Sequence, residues 1–372
     1  FKQKTAYEIG VRLVGSEMCI RDRSYGEDGR SNEGSLLRRL VASLKMRITG
    51  LLVIGLGCVF LLTLIAVFVG STPLGITKVV EVILSGGSES PVSRIVLDLR
   101  LPRALLATII GAGLGMVGCV LQTLTRNDLA DPFLFGLSSG AAAGAVIVIT
   151  VTGNILGFWT LPAAAFIGGL VSSVIVLGLF GKLAKQSPSQ MVLAGLAVSF
   201  LFLSLTYFLI FAGDQRAAHS VLFWTLGGLG LANWKVLPIA LTGLMAIFAF
   251  AITTHRSLDA LLAGDETAVT LGVNVKLYRQ VAFLICAFAT ASFVALSGVI
   301  GFVGLMVPHL ARGLVGPLHG GLLITSAVIG AVLLLLSDIA ARTLMAPQEL
   351  PIGALTTSIG AIFVLNLVRR TA

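Results

Sequence analysis

Long apolar runs, separated by short polar stretches, occupy most of this 372-residue chain. A helix of about 20 apolar residues is long enough to cross the roughly 30 Å hydrocarbon core of a bilayer. The composition fits such helices, because 56% of the residues are hydrophobic and only 12% are charged. The runs are continuous rather than alternating, which favours helices over the strands of a membrane barrel. The sequence therefore predicts an all-α fold, a polytopic transmembrane helical bundle.

About ten spans can be placed, and the eighth, which ends at Pro308, is the shortest. The runs cover residues 49–70, 104–124, 133–152, 159–181, 190–212, 236–253, 280–297, 299–308, 321–341 and 352–368. An even number of spans puts both termini on one side of the membrane. Lys and Arg are nearly twice as frequent on that side as on the other. Since cytoplasmic loops carry the excess of positive charge, we expect both termini to be cytoplasmic.

The first residues do not follow this pattern. Residues 1–35 contain no apolar run typical of a signal peptide. We expect them to be a disordered, non-native leader, followed by one transmembrane domain over residues 36–372.

Small residues recur at four-residue intervals in two of the runs, which predicts close helix packing. In the second run these residues are Ala107, Gly111, Gly115 and Cys119. Gly140 and Gly144 have the same spacing in the third run. We expect each ridge to face another helix at short distance.

A polar segment, residues 254–280, separates the sixth run from the seventh. Its first half carries apolar residues at helical spacing: Leu258, Leu261 and Leu262. We expect Gly264 to end that helix and Asp265 to cap a second, short one. Ala268 and Leu271 should share a face of the second helix, which Gly272 would end. Two interpretations remain open, a solvated loop or a pair of helices that a soluble partner could contact.

Four stretches carry more specific information than generic membrane sequence, and they lie in order along the chain. They read LDLRLPRALLATIIGAGLG, QTLTRNDLADPFLFGLSSGAAAG, SGVIGFVGLMVPHLARGLVG and SDIAARTLMAPQELPIGALTTSIGAIF. Together with the polar segment they closely resemble the permeases of the iron-siderophore, haem and cobalamin class of binding-protein-dependent ABC importers. The resemblance covers residues 45–370 at the spacing of that family. One departure is Asp128, where the family usually has Pro.

The resemblance implies a transport subunit of the bacterial inner membrane that imports an iron complex (siderophore or haem) or cobalamin. It implies ten helices in each subunit, a second permease subunit in a homodimer or heterodimer, and two cytoplasmic ATPase subunits. A periplasmic substrate-binding protein would deliver the cargo. Such a subunit is not an enzyme, needs no cofactor or metal, and contacts lipid rather than nucleic acid.

The same resemblance assigns roles to two cytoplasmic segments. The polar segment would form the coupling helices that contact the ATPase: Leu261, Leu262, Gly264, Asp265, Glu266, Ala268, Leu271 and Gly272. Ser187, Pro188 and Ser189, which link the fourth and fifth runs, would lie at the inner gate. A plain polar turn is the alternative interpretation for this link.

Arg100, Arg103 and Arg342 lie at the outer ends of predicted spans, where positive charge is not expected. They could extend toward lipid headgroups. They could instead receive carboxylates of a docking protein, because Arg forms bidentate pairs with carboxylates. The resembling family uses arginines at the matching positions in that way. Asp338, four residues before Arg342, is predicted to be its partner within the helix.

A secondary transporter or channel for a small solute is the alternative function. Proteins of that class usually place ionisable residues at the middle of the membrane. The predicted spans have almost none apart from Asp338, near the end of one of them. An intramembrane enzyme ranks last, because the spans contain no paired carboxylates, Ser/His set or metal-ligand cluster.

Overall fold

The computed structural model describes residues 28–85, 90–183, 187–213 and 215–371. Most of the predicted leader, residues 1–27, lies outside the described residues. The first helix begins at Asp28, so its start falls within the range for which we expected disorder. The chain divides into two units, which meet between Thr49 and Gly50 within this helix.

The regular structure of the described residues is helical. In chain order the helices are α1 (Asp28–Phe68), α2 (Ile76–Ser85), α3 (Pro91–Thr125), α4 (Leu137–Thr152), α5 (Thr160–Lys182), α6 (Pro188–Ala212), α7 (Gln215–Thr225), α8 (Leu237–Ala263), α9 (Asp265–Thr270), α10 (Val275–Ser297), α11 (Val303–Val315), α12 (His319–Thr343) and α13 (Ile352–Thr371). Short 3₁₀ turns, Pro132–Phe135 and Gly157–Trp159, precede α4 and α5.

Eight of the described helices are long and apolar enough to cross a membrane: α1, α3, α5, α6, α8, α10, α12 and α13. Two shorter apolar helices, α4 and α11, overlap the third and eighth predicted runs. The described part of the chain is therefore all-helical, and the chain is a multi-pass membrane protein, as the apolar runs predicted.

The predicted end of the eighth run at Pro308 is wrong, because α11 continues past it to Val315. Proline has no backbone N–H, so the carbonyl of Gly304, one turn earlier, loses its usual donor. The buried side-chain amide of Gln122, on α3, donates instead to the carbonyls of Gly304 and Leu305 at 3.2 and 3.1 Å. A side chain from another helix thus compensates for the proline inside α11.

Two more helices are longer than their apolar runs. α3 begins at Pro91 rather than near residue 104, and the hydroxyl of Ser90 caps its start by accepting from the N–H of Ser93. α8 continues through polar residues to Ala263. Hydropathy marks where a helix meets lipid, whereas the helix itself continues into the polar region as long as its backbone is satisfied.

α3 lies at the centre of the bundle and packs most extensively against α12. The predicted ridge forms this contact, because a Cβ atom at Gly111 would overlap the backbone carbonyl of Gly330. A Cβ atom at Gly330 would in turn overlap the carbonyl of Gly111. One turn further along α3, a Cβ atom at Gly115 would overlap the carbonyl of Ser326. Helices can approach this closely only where both have small residues, so the prediction for this ridge is confirmed.

The second predicted ridge, on α4, packs against α5. A Cβ atom at Gly140 would meet the carbonyl of Gly168, and one at Gly144 would meet the carbonyl of Ala164. This prediction is therefore also confirmed, and α4 is held at close distance to its neighbour.

Candidate functional site

The three predicted arginines line one cavity of about 440 Å³, which we call the arginine cavity. Arg100 and Arg103 come from the first half of α3, and Arg342 comes from the last turn of α12. The cavity is also lined by residues that follow α1, among them Ser71, and by Glu349 from the connection between α12 and α13. The fold thus brings together residues that are far apart in the sequence.

Arg100 is buried and binds the end of α1. Its Nη1 atom donates to the carbonyls of Val67 and Phe68 at 3.0 and 2.8 Å, and Nη2 donates to the carbonyl of Thr72 at 2.5 Å. The last carbonyls of a helix have no partner within the helix, and here a guanidinium group satisfies them. A Cβ atom at Gly70 would collide with this group, which explains the glycine at that position.

Arg342 is buried as well and serves the same end of α1. Its Nη1 atom donates to the carbonyls of Ala66 and Val69, both at 3.1 Å. Its Nη2 atom lies 2.8 Å from Oδ2 of Asp338, so the predicted pair within the helix is confirmed. Arg100 and Arg342 are thus held by protein groups rather than extended toward lipid headgroups.

Arg103 links two carboxylates. Its Nε atom donates to Oδ1 of Asp338 at 2.8 Å, and its Nη1 atom donates to Oε2 of Glu349 at 2.8 Å. Glu349 in turn accepts a hydrogen bond from Ser71 at 3.2 Å. The side chains of Arg103 and Glu349 are 14% and 38% exposed, whereas Asp338 is fully buried. Sequence reasoning missed Glu349, although it lies only seven residues after Arg342 in the fourth motif.

The charges around the cavity do not balance. Three guanidinium groups against the carboxylates of Asp338 and Glu349 leave one positive charge in excess. A partly enclosed site with this excess attracts anionic groups, and Arg binds the carboxylates of proteins in bidentate fashion.

The polar segment lies at the other end of α3 and α12. α8 ends at Ala263, and Gly264 breaks it with φ at +129°, a conformation that favours glycine. The short helix α9 follows, so the two helices predicted to meet at Gly264 and Asp265 are confirmed. A further turn at Gly272, with φ at +83°, separates α9 from α10.

The predicted capping role of Asp265 is wrong. The residue in the N-cap position is Gly264, and Asp265 makes ion pairs instead. Its Oδ1 atom accepts from Nη2 of Arg126 at 2.6 Å and from Nη2 of Arg279 at 2.8 Å. The buried Arg279 also donates through Nε to the carbonyl of Leu124 at 3.2 Å. Asp265 therefore ties α9 to the end of α3 and to α10.

The predicted contact residues of the segment differ in how deeply they are buried. Leu261 and Ala268 are buried, Leu262 is half-buried, and Glu266 is exposed. Leu271 is 67% exposed, so the face that it was predicted to share with Ala268 is wrong. The reason is that α9 ends at Thr270, and Leu271 turns away from the bundle. Val269 and Leu277, which are close to Leu271 in the sequence, are also exposed.

His319, at the start of α12, connects three helices near the polar segment. Asp259, on α8, accepts from the backbone N–H of His319 at 2.8 Å, and its Oδ1 atom lies 2.7 Å from Nδ1 of the ring. The other ring nitrogen lies 2.7 Å from the hydroxyl of Thr123, on α3. His319 is buried, and sequence reasoning did not single it out.

Asp128 and Asp131 lie in the connection between α3 and the 3₁₀ turn before α4. Asp128, the departure from the resembling family, pairs with Arg312 at 3.1 Å. Asp131 is buried and accepts from the N–H of Phe133 at 2.9 Å. Burial raises the pKa of Asp131 to about 6, and the backbone hydrogen bonds offset only part of that increase.

Ser187, Pro188 and Ser189 form the start of α6. Ser187 is the N-cap, and its N–H donates to the side chain of Gln190 at 3.2 Å. Pro188 occupies the first helical position, which proline favours, and the hydroxyls of Ser187 and Ser189 lie 3.1 Å apart. The capping box accounts for the local structure of this link.

A second cavity of about 670 Å³ lies between α4, α6 and α7. Its walls are mostly apolar, and they carry hydroxyl groups from Ser138, Ser199 and Thr206. The hydroxyl of Ser138 is buried and has no hydrogen-bond partner in the described structure. An apolar cavity with a few hydroxyl groups suits a bulky, mostly apolar ligand.

This membrane bundle has a charged cavity at one end and a polar helical segment at the other. These features are those of a membrane transport subunit. The chain belongs to the FecCD transport family, whose profile matches residues 58–370. The hemin transport system permease protein HmuU of Yersinia pestis is 39% identical over 277 residues, 74% of this chain and 83% of the relative.

Two further comparisons agree with the family. The vitamin B12 import system permease protein BtuC of Vibrio vulnificus is 35% identical over 336 residues, 90% of this chain and 98% of the relative. A solved ABC transporter of the metal-chelate type, in an inward-facing conformation, superposes with a TM-score of 0.77 at 29% identity. The match covers 87% of this chain and 99% of the solved one. The chain is accordingly an ABC importer permease subunit rather than an enzyme, and its family implies ATPase and permease partners.

Proposed function

We propose that this permease imports an iron complex (siderophore or haem) or cobalamin across the bacterial inner membrane. The named relatives carry hemin and vitamin B12, which are both large chelates. The cavity between α4, α6 and α7 supports such a cargo, because its walls are apolar and its volume is sufficient for part of a large ligand.

The observation that carries the proposal is the arrangement along α3 and α12. Arg103 and Thr123 lie on α3, twenty residues and therefore about 30 Å apart. The arginine cavity occupies one end of this pair of helices, and the polar segment meets the other. An importer driven by a separate ATPase needs one site for the cargo-delivering protein and one for the ATPase, on opposite sides of the membrane.

In this proposal the membrane domain has ten spans, because α4 and α11 cross with the eight longer helices. Both termini are then cytoplasmic, together with the polar segment. The positive-inside pattern of the sequence supports this orientation. A cysteine placed at exposed Glu266 should react with an impermeant thiol reagent only in inverted vesicles, and one placed at exposed Glu81 only in right-side-out cells. The opposite pattern would reverse the orientation.

The arginine cavity is the proposed docking site of a periplasmic substrate-binding protein, with Arg100, Arg103 and Arg342 as receptors of its carboxylates. The excess positive charge of the cavity supports this role, and Arg103 is the most exposed of the three. Arg100 and Arg342 contribute mainly by fixing the end of α1 and by their charge.

The polar segment is the proposed contact with the ATPase subunits. Exposed apolar residues at a bundle end that is otherwise polar support this role, as apolar side chains on a surface mark protein contacts. The residues assigned to this coupling segment are Leu261, Leu262, Gly264, Asp265, Glu266, Ala268, Leu271 and Gly272. Leu261 and Ala268 are buried, so they would hold the segment in place rather than contact the ATPase. Ser187, Pro188 and Ser189, at the start of α6, are proposed to lie at the inner gate.

Asp338 bears on the alternative of a proton- or ion-driven transporter. Such a carrier requires an ionisable group that can exchange its ion during transport. Asp338 is fully buried and shared between Arg103 and Arg342, which suits a structural role.

The test is reconstitution of the permease with its ATPase subunits in proteoliposomes. We expect ATP hydrolysis to rise when the cognate binding protein is added with its cargo. Comparison of a ferric siderophore, haem and cobalamin would identify that cargo. Uptake that persists without ATP, and responds to a pH or sodium gradient, would refute the proposal.

A further inference from the structure

Glu349 brings a carboxylate of the chain itself into the arginine cavity. It lies in residues 344–351, between α12 and α13, where the N–H of Leu350 donates to the carbonyl of Ala341 at 2.9 Å. One oxygen of Glu349 binds Arg103 at 2.8 Å, and the other accepts from Ser71 at 3.2 Å. The proposed docking site therefore already holds the type of group that it would receive from a partner.

The two carboxylates bound to Arg103 differ in how easily they can be exchanged. Asp338 is fully buried between Arg103 and Arg342, and removing one member of a buried ion pair is strongly unfavourable. Glu349 is 38% exposed, and an ion pair at such a position contributes little net stability because water replaces the contact. Glu349 is therefore the carboxylate that can leave.

The geometry at Arg103 adds a second reason. A guanidinium group binds a carboxylate in bidentate fashion through two N–H groups on one edge. Asp338 occupies the Nε atom, and Glu349 occupies Nη1, one of the two Nη atoms that form the terminal edge. An incoming carboxylate that binds both Nη atoms therefore competes with Glu349 for Nη1.

We propose that Glu349 is a resident substitute for the carboxylate of the docking protein. It holds Arg103 in place while the cavity is empty, and an acidic side chain of the binding protein displaces it on docking. This inference rests on the proposed docking function of the arginine cavity. Glu349 thereby sets the affinity of docking, because every docking event must first release it.

The main test replaces Glu349 by Gln, which keeps the shape of the side chain and removes its charge. The probe is the cognate binding protein loaded with cargo, and its dissociation constant is measured on the permease–ATPase complex in nanodiscs. We expect Glu349→Gln to tighten docking about tenfold at low salt, and less at high salt where charge is screened. Ser71→Ala, which removes the other contact of Glu349, should tighten docking by a smaller factor.

Glu81→Gln is the matched control, because it removes the same charge from an exposed position on α2, outside the cavity. It should leave docking unchanged. If Glu349→Gln fails to fold, Ser71→Ala decides the question alone, and docking that is unchanged or weaker in that variant overturns the proposal.

Arg103→Gln separates failure of this inference from failure of the docking function. If Arg103→Gln docks as tightly as the wild type, the arginine cavity is not the docking site. If Arg103→Gln weakens docking while Glu349→Gln leaves it unchanged or weakens it, docking stands and the displacement of Glu349 is refuted. In the double variant the gain from Glu349→Gln should disappear, and a gain that persists also refutes the displacement.

Discussion

The junction between α8 and α9 offers a sharp test of how the polar segment is held, through replacement of Asp265 by Asn. One oxygen of Asp265 accepts from Arg126 at 2.6 Å and from Arg279 at 2.8 Å. Asn keeps the size of the side chain and one acceptor but removes the negative charge. Arg279 is buried, so its charge is the one that loses compensation.

The expected loss of unfolding free energy in Asp265→Asn lies between two limits. Removing one partner of a fully buried ion pair costs about 3–5 kcal/mol, whereas an exposed pair contributes about 0–1 kcal/mol. The side chain of Asp265 is 36% exposed, so water screens it, and Arg279 keeps its hydrogen bond to the carbonyl of Leu124. We therefore expect Asp265→Asn to lower the free energy of unfolding by about 1–2 kcal/mol.

Two assays follow the effect, thermal unfolding in detergent and ATP hydrolysis stimulated by the binding protein in proteoliposomes. Asp265→Asn should lower the melting temperature and reduce the stimulation severalfold, because α9 is no longer fixed against α3 and α10. The neighbouring Glu266→Gln is the control, since it removes an equal charge from an exposed position. Glu266→Gln should melt like the wild type.

Equal melting temperatures for the two variants would refute the role of the ion pairs. If Asp265→Asn has a lower melting temperature but full stimulation of ATP hydrolysis, the stabilising role of the ion pairs stands and the coupling role of the junction is refuted. Reversing the charges of Asp265 and Glu266 together would be less informative, because Asp265→Lys would break the internal ion pairs with Arg126 and Arg279 as well as any contact with the ATPase.

Three further predictions concern stability and can be checked by unfolding in detergent. Gly330→Leu should prevent folding or lower the free energy of unfolding by about 1–3 kcal/mol or more, because its side chain would collide with the backbone of α3. Gly178→Leu, where no atom lies within 4 Å of the added Cβ, should fold normally, and equal behaviour of the two would contradict the packing argument. Burial raises the pKa of Asp131 to about 6, so its stabilising contribution is complete below about pH 4 and lost as the pH rises through 6. The free energy of unfolding of Asp131→Asn, taken relative to the wild type, should therefore be more favourable at pH 8 than at pH 5. A difference between the two proteins that does not change with pH would refute this. His319→Phe should lower the free energy of unfolding by about 1–3 kcal/mol, because Asp259 and the buried hydroxyl of Thr123 each lose their contact with the ring, whereas a retained melting temperature would show that the contacts of the ring contribute nothing.

The sequence by itself determined the helices and much of their packing. Apolar runs of spanning length predict helices because the backbone must satisfy its own hydrogen bonds in lipid. The spacing that put Gly111 on a contact ridge follows from the period of the helix, which is a local property. The end of α8 at Gly264 was equally predictable, since glycine alone adopts its conformation without strain.

Apart from the pair of Asp338 and Arg342 within α12, the tertiary structure decided which charges meet. Arg103 and Asp338 are 235 residues apart in the chain, and no local pattern indicates that they form an ion pair or that Glu349 joins them. The same holds for Gln122, whose amide lets α11 continue through Pro308. Helical periodicity is fixed by neighbours in sequence, whereas these contacts depend on how whole helices cross. The sequence therefore placed the arginines near the end of the bundle, and only the fold showed that one carboxylate bound to Arg103 is buried and the other exposed.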